Sequence, residues 1–311
     1  MNLRSQHTTL WKSWQDYKVE WANIKNDILF WLLLQQNNQN KMSPIIFFVE
    51  GNIGSGKSTF LKNLSESTAS YSFLQKSQFV QEPVNIWKNT KDSDGRNILD
   101  HFYSDMNRFC YAFQSFAFIS RIKQLDEIDM NTDCIFIERS VYCDRNVFAS
   151  ACHESGMMTD IEWEIYRSWF KWMEDKYRHI FQSARYIYLQ CSPATALQRI
   201  GHRGRAEETG ISYQYLETLH NKHNDWLCNS KTSATHQHKS STIVIDAEKN
   251  LLDKENMSAA IKQIEQSIQP IEPEQQNTPR YYKHKDWQTL ANAMSHAAKP
   301  INYPIDQKKL I

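Results

Sequence analysis

No stretch of this 311-residue sequence is apolar for long enough to cross a bilayer. The longest run near the N-terminus, Ile28 to Leu34, has seven residues, against the ~20 that a spanning helix requires. An excess of charge of one sign is also missing. Thirty-six Lys and Arg stand against 35 Asp and Glu, a formal charge of +1, which gives no electrostatic footprint for a nucleic-acid polymer. The six cysteines include no CxxC pair and no metal-like spacing with His. They read as free thiols of a reducing compartment rather than a disulfide frame. His236 and His238 fall in a polar stretch that reads as a solvated loop, not a metal site. The first fifteen residues carry Arg4 and Lys12 without an acid, a faint mitochondrial pattern that Asp16, Glu20 and Asp27 interrupt. A cytoplasmic protein is the expectation.

What is present is an ordinary globular composition, 41% hydrophobic and 23% charged, with one informative segment. Residues 45–59 read IIFFVEGNIGSGKST. The apolar run Ile45 to Val49 predicts a buried strand, and GxxxxGK[ST] follows at once from Gly51 to Ser58. Gly51, Gly54 and Gly56 allow a tight turn whose N–H groups face phosphate oxygens. Asn52, Ile53 and Ser55 complete the loop. Lys57 is placed for the β/γ-phosphates and the Ser58 hydroxyl for Mg²⁺. From Thr59 a helix runs on, its N-terminus facing the anion. The pattern predicts binding of a nucleoside triphosphate.

The remainder alternates strand-like and helix-like segments, which predicts an α/β fold with a parallel sheet of about five strands flanked by helices. Further strands are expected at Phe79–Gln81, Cys134–Ile137, Tyr186–Leu189 and Thr242–Ile245. Helices are expected at 98–128 with a break near Asp105, and at 160–180, 193–200, 213–228 and 255–268. After Ile268 the composition shifts, with five of eight prolines in the last 42 residues and one short helix candidate at 287–298. This predicts an N-terminal extension (1–42), a principal domain (43–268) and a Pro/Gln-rich tail (269–311). Residues 229–241 read as a surface loop.

Three further segments turn a phosphate loop into a phosphotransferase. Glu82 follows the second strand at the carboxyl edge of the sheet, where open α/β folds bind ligands. Glu138-Arg139-Ser140 follows the third, offering a carboxylate for Mg²⁺ and an arginine for a moving phosphoryl group. Arg199, Arg203 and Arg205 cluster around Gly201 and Gly204 and read as an arginine-rich lid.

With these residues the chain resembles the deoxyribonucleoside kinase family, and within it the deoxycytidine and deoxyguanosine kinases. The resemblance is carried by GNIGSGKSTF, EPVNIW, NILDHFY, FCYAFQSFAFISRI, FIERSVYCDRNVFAS and RGRAEETGISYQYLETLHNKHNDWL, over about residues 45–228. It implies a P-loop kinase fold, ATP or UTP as phosphoryl donor, Mg²⁺ held by Ser58 and Glu138, and a homodimer built from the 160–178 and 108–126 helices. It makes Glu82 the base toward the deoxyribose 5′-hydroxyl, with Arg139 holding both in register. Tyr103 and Glu208 match the pair that binds the 3′-hydroxyl, and Gln114 the amide that reads the base edge. Trp87, Phe113 and Phe148 match the aromatic walls, and Arg199, Arg203 and Arg205 the lid arginines over the donor phosphates. Arg121 and Asp144 match a pair that crowds the 5-methyl group of thymine and favours deoxycytidine and purine deoxynucleosides. The chain departs at Phe102, where relatives often carry a smaller or unbranched side chain such as Met, which narrows the base pocket. Two alternatives stand beside this reading. One is a silent, kinase-like structural subunit, which loss of Lys57, Glu82 or a lid arginine would have favoured. The other is a nucleoside monophosphate kinase, which shares the phosphate loop.

Overall fold

The computed structural model describes residues 43–229 and 242–268; the segments expected at 1–42, 230–241 and 269–311, with the helix candidate at 287–298 and His236/His238, lie outside the described residues. In chain order the elements are β1 (Ile45–Glu50), α1 (Lys57–Glu66), a 3₁₀ turn (Ser72–Leu74), β2 (Ser77–Val80), α2 (Val84–Asn89), α3 (Ile98–Ser104), α4 (Met106–Asp126) and β3 (Cys134–Glu138). There follow α5 (Val141–Cys143), a π-helical stretch (Asp144–Ala149), α6 (Ser150–Glu154), α7 (Asp160–Lys176), α8 (Arg178–Ser183) and β4 (Arg185–Gln190). The last are α9 (Pro193–Arg203), a 3₁₀ turn (Ala206–Glu208), α10 (Tyr213–Leu227), β5 (Thr242–Asp246) and α11 (Lys254–Ile268).

The five strands form one parallel sheet in the order β2-β3-β1-β4-β5. β1 lies at its centre and is apolar without alternation because both its faces are covered. Ile46 and Phe48 belong to one hydrophobic core, Phe47 and Val49 to the other. The strand order reverses around β1, so the loop after it opens at the switch point where such sheets bind ligands.

Local chemistry sets the boundaries that matter. Asp105 both ends α3 and starts α4, its side chain accepting from Arg108 N at 3.1 Å, which is the expected break. Thr159 and Glu162 form a capping box at the start of α7. The helix expected at 160–180 is interrupted at Tyr177, whose hydroxyl donates to Asp126 Oδ1 at 2.7 Å. The strands lie within two residues of expectation at each end. Two helical pieces were not expected, α2 and the run from Val141 to Glu154, and both carry residues to the site.

Candidate active site

A cavity of about 430 Å³ opens at the carboxyl edge of the sheet. Its lining comes from the loop after β1 (Ile53 to Thr59), from Glu82 beyond β2, from Glu138 and Arg139 at the end of β3, and from the lid arginines. The aromatic and polar residues of α2, α3, α4 and the π-helical stretch complete it.

The loop after β1 needs glycine most plainly at Gly54. Its φ is +79°, and a Cβ there would stand 2.5 Å from the Ala196 carbonyl. Lys57 opens α1 and its side chain folds back on the loop, Nζ donating to the carbonyls of Gly51 (3.2 Å) and Asn52 (2.8 Å). Burial, with Arg139 nearby, pushes the Lys57 ammonium down to about 8 against the opposing pull of Glu138 and Glu82. Gly51 and Asn52 do not line the cavity. The Asn52 side chain donates to the Leu216 carbonyl at 2.8 Å and so ties the loop to α10. Ser58 Oγ donates to Glu138 Oε1 at 2.9 Å. A hydroxyl and a carboxylate side by side at the mouth of a phosphate loop are the hard oxygen donors that Mg²⁺ takes beside phosphate oxygens, so this pair fits the ion.

Glu82 stands between two buried arginines. Arg121 Nη2 reaches its Oε1 at 2.5 Å and Arg139 Nε at 3.1 Å. Burial alone would raise the Glu82 carboxyl, but Arg121, Arg139 and Lys57 together hold it down at about 2. Arg121 also donates from Nε to Asp144 Oδ1 at 3.1 Å and from Nη1 to the Glu138 carbonyl at 3.1 Å. The pair expected to select the base therefore also braces the expected catalytic carboxylate, a link that 39 residues of sequence separation concealed. Burial, with Glu82 adding to it, pushes Asp144 up to about 6 although Arg121 opposes the shift.

Arg139 adopts φ +63°, alone among the described non-glycine residues. A left-handed conformation is unfavourable for an arginine and must be imposed by its surroundings. Two bonds to β1 impose it: Arg139 N donates to the Val49 carbonyl at 3.0 Å, and Ser140 N to Glu50 Oε1 at 2.9 Å. The turn aims the guanidinium at Glu82, at the Gly51 carbonyl (2.7 Å) and over the Phe148 ring (4.8 Å). The π-helical stretch 144–149 brings Asp144 and Phe148 to one cavity, a position in which such distortions recur.

The inner end of the cavity is aromatic. Trp87 and Phe113 meet edge to face at 5.4 Å, and Phe102 packs 4.6 Å from Phe113. Gln114 faces this end only 2% exposed, and among the described residues its amide has no protein partner. A buried amide of this kind is positioned for a ligand. Tyr103 also lines the cavity, its hydroxyl kept protonated by burial and by Glu208 and Glu82. Arg199 Nη1 donates to the Ser55 carbonyl at 3.4 Å, whereas Arg203 and Arg205 both pair with Glu208, the latter at 3.1 Å. Of the residues given a catalytic, metal, donor or acceptor role in the sequence, all except Gly51 and Asn52 line the cavity. Lys249 to Leu252, in the loop after β5, also line it and were missed; only their place at the carboxyl edge of a strand could have signalled them.

The arrangement joins a glycine-rich loop at a helix N-terminus, a carboxylate between arginines and an aromatic pocket lined by a buried amide. Comparison with known proteins agrees with it. The family described as "Deoxynucleoside kinase" matches residues 47–269. Deoxycytidine kinase of Mus musculus is 36% identical over 226 residues, covering 66% of this chain and 85% of that protein, and deoxycytidine kinase of Homo sapiens gives the same values. The mitochondrial deoxyguanosine kinase of Xenopus laevis is 32% identical over 230 residues, covering 68% and 83%.

Proposed function

The chain belongs to the deoxynucleoside kinase family, and from that premise we propose that it transfers the γ-phosphoryl group of ATP or UTP to the 5′-hydroxyl of deoxycytidine and purine deoxynucleosides. The observation that carries the reading is Glu82, an ionised carboxylate between Arg121 and Arg139 in the cavity that the phosphate loop shares. The bond from O5′ to the γ-phosphorus forms as the bond to the β-phosphate oxygen breaks, and the hydroxyl proton passes to Glu82. A carboxylate this weakly basic takes the proton late, as bond formation makes the hydroxyl acidic. Arg139 holds Glu82 and the 5′-oxygen in register. Lys57, Arg199, Arg203 and Arg205 take the charge of the donor phosphates. Mg²⁺, held by Ser58 and Glu138, would supply neutralisation of charge between donor phosphate oxygens. Residues 43–268 are the catalytic unit of this proposal and its compartment is the cytoplasm. No described helix is long and apolar enough to cross a membrane.

Base preference follows from Arg121, Asp144 and Gln114. Cytosine, adenine and guanine carry exocyclic amines that Asp144 can accept from, whereas thymine presents a methyl group to the Arg121–Asp144 pair. Asp144 keeps Arg121 as a partner, but thymine gives it no amine to accept from, and a site built to hydrogen-bond a substrate N–H strongly rejects an analogue that lacks it. An acceptor panel should therefore show deoxycytidine and purine deoxynucleosides as substrates and thymidine at least about a hundredfold poorer in kcat/KM. Arg121→Met with Asp144→Ala should bring thymidine up relative to deoxycytidine, at a cost in kcat because Glu82 loses one arginine. Equal use of thymidine by the unchanged enzyme would sink this assignment.

A second copy of the chain is the partner we propose. On α7, Ile161, Trp169 and Trp172 are 68%, 55% and 52% exposed, and Ile119 on α4 is exposed too. Aromatic surface of this extent is typical of a covered interface. Trp169→Glu should shift sedimentation from dimer to monomer, and a monomeric unchanged protein would refute the assignment.

A further inference from the structure

The 3₁₀ turn Ala206–Glu208 carries two adjacent carboxylates with separate partners. Glu208 takes Arg203 and Arg205. Glu207 instead takes Lys88, whose Nζ is 3.2 Å from Oε1, and Asn97, whose Nδ2 donates to Oε1 at 3.2 Å. Lys88 lies in the last turn of α2, immediately after the cavity residue Trp87. Asn97 is the N-cap of α3, its Oδ1 accepting from Asp100 N at 2.9 Å, and α3 carries Phe102 and Tyr103 into the cavity. One side chain of the lid segment thus joins both helices that build the inner pocket, while its neighbour holds the lid arginines.

An exposed ion pair between neighbouring residues would carry little. This one differs in place and in satisfaction. It spans 119 residues to Lys88 and 110 to Asn97. The Glu207 carboxyl is held below its ordinary range by its own backbone N–H, and then by Lys88 and Asn97, against the effect of burial. A carboxylate with three donors from three segments fixes where the 3₁₀ turn sits relative to α2 and α3.

We propose that Glu207 is a positioning residue of the kinase reaction: through Lys88 and Asn97 it couples the seating of the deoxynucleoside to the placement of the lid, so that donor and acceptor tighten each other's binding. The proposal rests on the reading of Arg203 and Arg205 as donor-phosphate ligands. Any such coupling is reciprocal, so it is visible from either substrate.

The test is steady-state kinetics on the full chain with ATP and deoxycytidine both varied. The variants are Lys88→Glu, Glu207→Lys, their combination, and Arg203→Ala as a control for the lid. The unchanged enzyme should show each substrate lowering the other's apparent KM. Either single reversal should reduce that mutual effect about fivefold by raising the ATP KM measured at saturating deoxycytidine, with the thermal midpoint unchanged. The combined exchange should recover most of it. Independent binding of the two substrates to the unchanged enzyme would overturn the proposal. So would single reversals that keep full coupling, or that lose kcat, both KM values and thermal midpoint together with no recovery in the exchange. If Arg203→Ala leaves the ATP KM untouched, the lid reading fails. If it raises that KM while the reversals have no effect, only the relay through Glu207 fails.

Discussion

Glu82→Gln is expected to lower kcat about a thousandfold while leaving the KM for the phosphoryl donor within about twofold. The amide keeps the shape of the carboxylate and one acceptor oxygen for Arg121 and Arg139 but cannot take the 5′-hydroxyl proton. Glu82→Ala should lose activity equally and also stability, because Arg139 would be left buried with no carboxylate beside it. The pH dependence separates Glu82 from its neighbour. Because the arginines hold Glu82 at about 2, kcat should show no acid limb from this group between pH 7 and 4. Asp144, raised by burial to about 6, should become neutral across that range, so the deoxycytidine KM should climb as pH falls through 6. Asp144→Asn should abolish that climb. For stability the two groups act oppositely. Depression of Glu82 below its ordinary 4.5 stabilises the fold above that pH and is lost as pH falls toward 2. Elevation of Asp144 from 3.8 destabilises the fold above pH 6, and that penalty fades between 6 and 4. A climb in the deoxycytidine KM near pH 6 that survives Asp144→Asn would count against assigning that titration to Asp144.

Removing Arg139 should cost about a hundredfold or more in kcat, and the backbone at this position makes the choice of replacement informative. At φ +63° glycine is unstrained and alanine is not, so Arg139→Gly should be more stable than Arg139→Ala by about 1 kcal/mol. Both lose the same contacts to Glu82, the Gly51 carbonyl and Phe148. Added guanidinium should restore part of kcat in the glycine variant by occupying the vacated space beside Glu82. Equal thermal midpoints for the two variants would show that the left-handed turn stores no strain. Near-normal kcat in either would remove Arg139 from the mechanism.

Much of this was legible in the chain because the signals are local. The segment IIFFVEGNIGSGKST carries its strand, its turn and its helix start in fifteen consecutive residues, and the apolar run of β3 stops at Glu138, directly before Arg139. The break at Asp105 was readable because one side chain caps the following helix. What was not legible depends on long-range geometry or on shortness. α2 has six residues directly after Pro83, too few to show a helical period. A π-helical turn at 144–149 has no residue preference that distinguishes it from an α-helix. The contact of Arg121 with Glu82, the turning of Asn52 away from the cavity and the arrival of Lys249 to Leu252 at it are products of tertiary packing. The link from Glu207 to Lys88 and Asn97 belongs to the same class.

The acceptor proposed for the cavity is a nucleoside hydroxyl, not a nucleotide phosphate. Donor turnover measured with deoxycytidine and deoxyadenosine, in parallel with their 5′-monophosphates, with chromatographic identification of the product, tests it most directly. Turnover is expected with the nucleosides, with a 5′-monophosphate as the product, and no rate above the donor-hydrolysis background with the monophosphates. Equal or faster turnover of the monophosphates, or donor binding with no turnover of any of the four, would contradict it.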